Sequence, residues 1–233
     1  LPMSTPRLET VGGWLLAFVW ILPLLYAFWA AFHPEAYVAR FDPLAPVTLE
    51  NFRDAWAQAP FGRYYLNTFL MVSGILAAQL AVCTLAGFAF ARFPLPGKEL
   101  LFMLVLLQLF VFPEVLIVEN YTVASELGVI DSIPGIGLPY VASAFGIFLL
   151  RQTFKTIPRE LEDAARIEGN GWMAVLMKVY VPLAWPTYLA YALVSVSHHW
   201  NNFLWPLVVT NSVETRPLTV GLAIFSAPET GVN

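Results

Sequence analysis

The sequence predicts an all-α polytopic membrane protein, and three observations carry that prediction. First, 58% of the 233 residues are hydrophobic and 12% are charged, against about 45–50% and about 25% in soluble domains. So few charges cannot coat a water-facing surface, which excludes a soluble globular or a disordered chain. Second, five long stretches carry one formal charge or none, each close to or above the ~20 residues a helix needs to cross a hydrocarbon core. Third, aromatic residues make up 15% of the chain, with eight Trp, and such side chains gather where membrane meets water. A closed barrel also satisfies backbone polar groups in lipid, but its strands do not run to ~20 apolar residues.

Residues 1–10 read as a cytoplasmic tail, and 11–32, with 22 uncharged residues, as the first span. Its apolar part is too long for a typical signal peptide and no small-x-small cleavage site follows, so it is expected to be retained. An external loop, 33–63, leads to the second span, 64–91, uncharged for 28 residues. That span holds Ser73, Gly74, Ala77, Ala78, Ala81, Ala86, Gly87 and Ala89, several of them three or four apart, a spacing that lets helices approach closely. Cys83, the single cysteine, lies in the same run and is expected to pack as a small hydrophobe, with no disulfide available. The third span, 99–118, is interrupted from Leu100 onward only by Glu114, and the fourth, 132–150, has 19 uncharged residues. A cytoplasmic loop, 151–182, follows. The fifth span is placed at 183–207, inside an uncharged run of 35 residues, and 208–233 reads as an external loop.

Lys and Arg favour the cytoplasmic side. With the N-terminus inside, eight of twelve basic residues are cytoplasmic; those segments sum to +2 and the external ones to −6. Five spans from that start leave Asn233 outside, and a sixth helix is expected beyond it. The net charge of −4 gives no basic footprint for nucleic acid.

The loop 151–182 holds five of the eight inside basic residues. Thr156 is placed to cap a helix with Pro158 in its first turn, where a missing N–H costs nothing. Leu161, Ala164, Ala165 and Glu168 fall at i, i+3, i+4 and i+7 on one face. Gly169 and Gly171 bracket Asn170 and form a natural stop. A second helix, 172–181, leads to Pro182. The face is narrow and small, poorly suited to lying on lipid headgroups and well suited to entering a protein groove.

Asp163-Ala164-Ala165, Gly169 six positions after Asp163, and Val179-Tyr180-Val181-Pro182 after nine further residues together resemble the EAA loop of binding-protein-dependent ABC importer permeases. The usual form is EAA, three residues, Gly, nine residues, then I-x-L-P; here Asp, Val and Val replace Glu, Ile and Leu. Pro158, Glu160 and Leu161 are similar to the approach to that loop in the carbohydrate-uptake branch, the maltose and glycerol-3-phosphate permease-like members. Thr48-Leu49-Glu50-Asn51-Phe52, Asn67-Thr68, Leu138-Pro139-Tyr140, Trp200-Asn201, Phe203 and Pro206 extend the resemblance over nearly the whole chain.

The resemblance implies a type I ABC importer permease fold in a single transmembrane domain, 1–233, of the cell (inner) membrane. Its family core of six helices agrees with the expected sixth. It implies a second permease subunit, a dimer of ATP-binding cassette ATPases and an extracytoplasmic solute-binding protein as partners, beside membrane lipid. ATP and Mg would be bound by the partner ATPase; this chain has no GxxxxGK[ST] phosphate loop and is expected to hold no catalytic residue, cofactor or metal. The residues it marks for ATPase coupling are Glu160, Leu161, Asp163, Ala164, Ala165, Gly169 and Pro182. Arg166 and Glu168 either pair with partner charges or are solvated.

Polar residues at membrane depth are candidates for a solute pathway. Pro113 can break the third helix and free backbone groups to line a cavity, beside Gln108, Glu114, Glu119 and Asn120. The alternative places both acids in water at the outer interface. His198, His199, Trp200, Asn201, Asn202 and Trp205 form the densest polar-aromatic cluster in any span. Aromatic faces stack on sugar rings, and amides or imidazoles bond hydroxyls; interfacial Trp with interhelical amide bonds is the competing reading. An ion-gradient-driven carrier leaves the EAA-like loop unexplained. An intramembrane enzyme lacks HExxH or a nucleophile–base pair.

Overall fold

The computed structural model describes residues 5–38, 40, 42 and 44–226. Residues 1–4 of the expected tail and 227–233 of the expected last loop lie outside the described residues. Among the described residues there is no strand. The α-helices are α1 Thr5–Ala31, α2 Glu35–Val38, α3 Glu50–Gln58, α4 Phe61–Arg92, α5 Lys98–Leu107, α6 Ile117–Glu126, α7 Ile133–Gly137, α8 Ala144–Thr156, α9 Arg159–Ile167, α10 Trp172–Val175, α11 Val181–Leu183, α12 Trp185–Trp200, α13 Leu204–Val209 and α14 Leu218–Phe225. They fall into two units, Leu1–Pro60 and Phe61–Asn233.

In the first unit, α1 is apolar from Val11 onward and leaves Trp14, Trp20, Leu24 and Phe28 exposed, the surface of a helix built for lipid. The last carbonyls of a helix have no partner within it, and residues 48–52 supply partners at the end of α1 and just beyond it. Asn51 Nδ2 donates to the carbonyls of Ala31 (3.1 Å) and His33 (2.8 Å). The Thr48 N–H reaches Phe32 O at 2.8 Å, and Phe52 packs on Phe32 with ring centroids 5.2 Å apart.

The second unit is built around α4, whose 32 residues span about 48 Å at 1.5 Å per residue. Gly87 lets α8 come close: a Cβ there would lie 3.1 Å from Leu150 Cβ and 3.2 Å from the Arg151 nitrogen. Cys83 is fully buried, as its setting predicts. Of the other small residues, Ser73, Gly74, Ala77 and Ala81 face outward. Two apolar clusters flank the middle of α4. One gathers Phe88, Phe154, Leu176 and Tyr180 towards its C-terminal end; the other gathers Met71, Ile75, Ile136 and Trp205 towards its N-terminal end.

Two helices, Thr10–Ala31 and Phe61–Arg92, are long and apolar enough to cross a membrane unaided, and the count reaches five if each of three bent pairs is one span. Each of the expected spans at 99–118, 132–150 and 183–207 contains a bend. The chain bends 90° between Lys98–Phe110 and Pro113–Glu126, 53° between Ile133–Tyr140 and Ala144–Thr156, and 77° between Trp172–Leu183 and Trp185–Trp200. At the first bend Phe112 is extended, φ −70° and ψ 132°, as the residue before a proline prefers. At the second, Ser143 starts α8 afresh, its Oγ accepting the Gly146 N–H at 3.2 Å. At the third, Ala184 leaves helical geometry beside Pro182 and Pro186. A further break at 201–203 separates α12 from α13.

The expected loop 208–233 is corrected, because it contains α14. Asn67 Nδ2 donates to the carbonyls of Glu214 (2.8 Å) and Arg216 (2.9 Å), and Thr68 Oγ1 accepts the Leu218 N–H at 2.8 Å. Gly221 lies flat on Tyr64, where a Cβ would fall 2.3 Å from the ring.

Candidate coupling loop and solute pathway

The segment after α8 makes the helix–glycine turn–helix that the sequence predicts. Ile157 is extended and Pro158 precedes α9. Thr156 is not its cap: the hydroxyl donates back to Thr153 O at 2.7 Å. Gly169 ends the helix at φ +84°, a left-handed conformation that disfavours any Cβ. The Asn170 N–H reaches back to Ala165 O at 3.2 Å, the six-to-one bond of a Schellman ending. Asn170 Nδ2 reinforces it at 2.9 Å, and Lys178 Nζ holds the Asn170 amide oxygen at 2.9 Å. Arg166 is exposed, and its guanidinium lies 4.3 Å from the Trp172 ring centroid.

One face of α9 is exposed. Glu160, Asp163, Ala164 and Glu168 are open, Leu161 is 44% exposed and Ile167 87% exposed, while Ala165 is half-buried. Pro182 is exposed on α11. The opposite face turns on a residue that sequence reasoning missed. Glu162, 9% exposed, is the one buried residue of α9. Its Oε2 accepts the Tyr180 O–H at 2.6 Å and lies 3.7 Å from Arg92 Nε. Arg92 Nη2 donates to Phe154 O at 2.8 Å and also to Ile157 O. Tyr180 sits at the end of a π-helical turn, Leu176–Tyr180. Arg92 closes a long uncharged run as the last residue of α4, and that placement at a helix C-terminus was the one available signal.

The pathway candidates divide. Glu114, Asn120, Asn202 and Trp205 come together with Pro113, Ile117, Tyr140 and Leu204 around one cleft of about 20 Å³, room for a single water. Trp205 enters it from a packed position, 4% exposed, with its indole N–H donated to Ile136 O at 3.1 Å. The others lie elsewhere. Gln108 Oε1 accepts the Ala144 N–H at 3.0 Å and so caps α8. Asn201 Nδ2 donates to Ser197 O at 2.7 Å within its own helix end. Glu119 and His198 are exposed, and Trp200 packs beside the Trp205 cluster.

Tyr140 and Gln79 were missed as site residues. Asn202 Nδ2 donates to Tyr140 Oη at 2.8 Å, and Gln79 Nε2 donates to Tyr140 O at 2.8 Å. Gln79 also meets His199 Nε2 at 3.2 Å, while its Oε1 accepts hydroxyls from Tyr191 (2.9 Å) and Ser195 (2.6 Å). Gln79 is thus saturated, as a buried amide must be, and it ties α4 to α12 and to the break before α8. Among the described residues no three His, Cys, Asp or Glu side chains are grouped as a metal site requires.

A family model described as "Binding-protein-dependent transport system inner membrane component" matches residues 13–229. The arabinooligosaccharides transport system permease protein AraQ of Halalkalibacterium halodurans is 31% identical over 228 residues, 95% of this chain and 81% of that protein. The sn-glycerol-3-phosphate transport system permease protein UgpE of Escherichia coli K12 is 34% identical over 211 residues, 87% of this chain and 75% of that one. A bacterial ABC transporter involved in the import of the acidic polysaccharide alginate matches in structure with a TM-score of 0.85, covering 100% of this chain and 85% of that one at 21% identity, a likeness of fold. With its broken-helix bundle and its exposed helix–glycine turn–helix, this chain belongs to the binding-protein-dependent transport system inner membrane components, the non-catalytic permease subunits of ABC importers.

Proposed function

We propose that this subunit imports a carbohydrate or a glycerol-3-phosphate-like solute, paired with a second permease and supplied by an extracytoplasmic solute-binding protein. A dimer of ABC ATPases, which binds ATP and Mg, docks on α9 through Glu160, Leu161, Asp163, Ala164 and Ala165. Gly169 shapes the end of that helix, and Pro182 starts the return to the membrane. Residues 1–10 and 151–182 then face the cytoplasm, and 33–63 and 208–233 face outward. The observation that carries the reading is the outward face of α9, where Ile167, 87% exposed, stands with Leu161 and Ala164 uncovered by the described chain. Burying one such aliphatic side chain in a partner's groove contributes about 1.5–3 kcal/mol.

The cleft at Glu114, Asn120, Tyr140 and Asn202 is the proposed solute wall. Its amides and phenol suit hydroxyl groups, and its one charged lining residue is the Glu114 carboxylate. A carboxylate repels a phosphate, so the cleft supports a neutral sugar over an anion. AraQ and UgpE, by their names, serve one solute of each kind.

The test is uptake into proteoliposomes carrying the complete importer, with a labelled arabinose oligosaccharide and labelled sn-glycerol-3-phosphate as probes. Uptake of either is expected to need ATP and the binding protein and to survive proton and sodium ionophores. Uptake that persists without ATP and collapses with an ionophore would return the ion-driven carrier.

A further inference from the structure

We infer that Glu162, Arg92 and Tyr180 form the joint through which the docked helix moves the membrane helices, with Glu162 as its positioning residue. The inference rests on the permease reading above and concerns Arg92 and Glu162, outside the EAA-like motif, with Tyr180 at the motif's unspecified position. Four segments meet at this one point. Arg92 is the last residue of α4, Phe154 and Ile157 end α8, Glu162 belongs to α9, and Tyr180 closes the π-helical turn that leads towards α12.

The chemistry makes the contact stiff. The Glu162 carboxylate takes the Tyr180 hydroxyl at 2.6 Å and faces Arg92 at 3.7 Å, inside a wall of Phe88, Phe154 and Tyr180 rings packed edge to face. The Arg92 guanidinium also lies 5.0 Å from the centroid of the Tyr180 ring. Charge-assisted bonds in such surroundings are short and strong, and removing one partner leaves the other largely shielded from water without its counter-charge. Glu162 is the one buried residue of α9; half-buried Ala165 and the Arg166–Trp172 contact add to it, but among them Glu162 alone ties the helix to the end of α4. A π turn carries an extra residue per turn and is a common device at functional sites; here it brings Tyr180 under both charges. Asp163, the neighbour that occupies the motif position, faces out and takes no part in the joint.

The experiment uses the complete complex of this permease, its partner permease, the ATPase and the binding protein, reconstituted in lipid. It reads the ratio of ATPase activity with and without the solute-loaded binding protein as purified from the host. Glu162→Gln keeps an acceptor for Tyr180 and removes the charge that faces Arg92. Its stimulation ratio should fall about tenfold, within the usual range for coupling between sites, while the ATPase still co-purifies. Tyr180→Phe removes one hydroxyl and little volume, and should lower the ratio in the same direction. Should Glu162→Gln fail to assemble, Tyr180→Phe decides alone. Full stimulation in an assembled Tyr180→Phe complex overturns the joint, whereas absence of any ATPase with the unaltered chain overturns the permease reading instead.

Discussion

At Asp131 the backbone enters the left-handed region, φ 56°, and the carboxylate repays that conformation with bonds. Its Oδ1 accepts the N–H groups of Asn211 (2.8 Å) and Ser212 (3.0 Å) and the Thr215 hydroxyl. Burial raises the Asp131 pKa, but these bonds, led by Ser212 and Thr215, outweigh it and hold the group well below the ordinary carboxylate range. A depressed native pKa stabilises the fold fully above the unfolded value of about 3.9 and loses that contribution as pH falls towards the native value. Asp131→Asn should therefore lower the unfolding midpoint at pH 7 by about 2–4 °C. The gap from the unaltered protein should narrow below a pH of about 4. An equal gap at every pH would show that charge is not what binds the segment 211–215. Glu162 illustrates why such roles are hard to see in sequence. Flanked by Glu160 and Asp163, it reads as one more solvated acid; its burial depends on Arg92 and Tyr180, brought near only by the fold.

Among the elements, those set by local chemistry were legible. The proline at 113 marked a helix break and the glycine at 169 marked a helix end, since each acts through its own backbone. The breaks at 141–143 and 201–203 were not legible, because uncharged apolar sequence satisfies a membrane span whether it is straight or bent. The turn at 138–143 is fixed instead by partners from other helices: Gln79 on Tyr140 O, Asn202 on Tyr140 Oη and Gln108 on the Ala144 N–H. Helix α14 was hidden for a related reason. Its eight residues are too few for a span, and its support comes from Asn67, Thr68 and Tyr64 at the start of α4. Gly221→Ala tests that packing. The new Cβ would fall 2.3 Å from a Tyr64 ring that is itself buried, and such overpacking typically costs about 1–3 kcal/mol. Hydrogen exchange of residues 218–225 should accelerate in the variant; unchanged protection would show that α14 does not rest on α4 as described.

For the whole molecule, the second unit has two proposed sites joined by one long helix. Towards the N-terminal end of α4 the broken helices bring Glu114, Asn120, Tyr140 and Asn202 to a small cleft. At its C-terminal end Arg92 holds the helix whose outer face is bare. Composition and charge made the membrane class plain, and the EAA-like spacing pointed to the loop. Of the residues that bind the ends together, Gln79 and Glu162 carry no sequence mark of their own, and Arg92 is marked only by its place at the end of α4. The central claim is that α9 is where the ATPase binds. It is tested most directly by extracting the protein from its native membrane in mild detergent and identifying what accompanies it, beside the variants Ala164→Trp and Ile167→Asp. The account predicts an ATPase and a second permease with the unaltered chain, and loss of the ATPase but not of the permease with either variant. An ATPase retained in full by both variants, or absent from the unaltered protein under several extraction conditions, would contradict it.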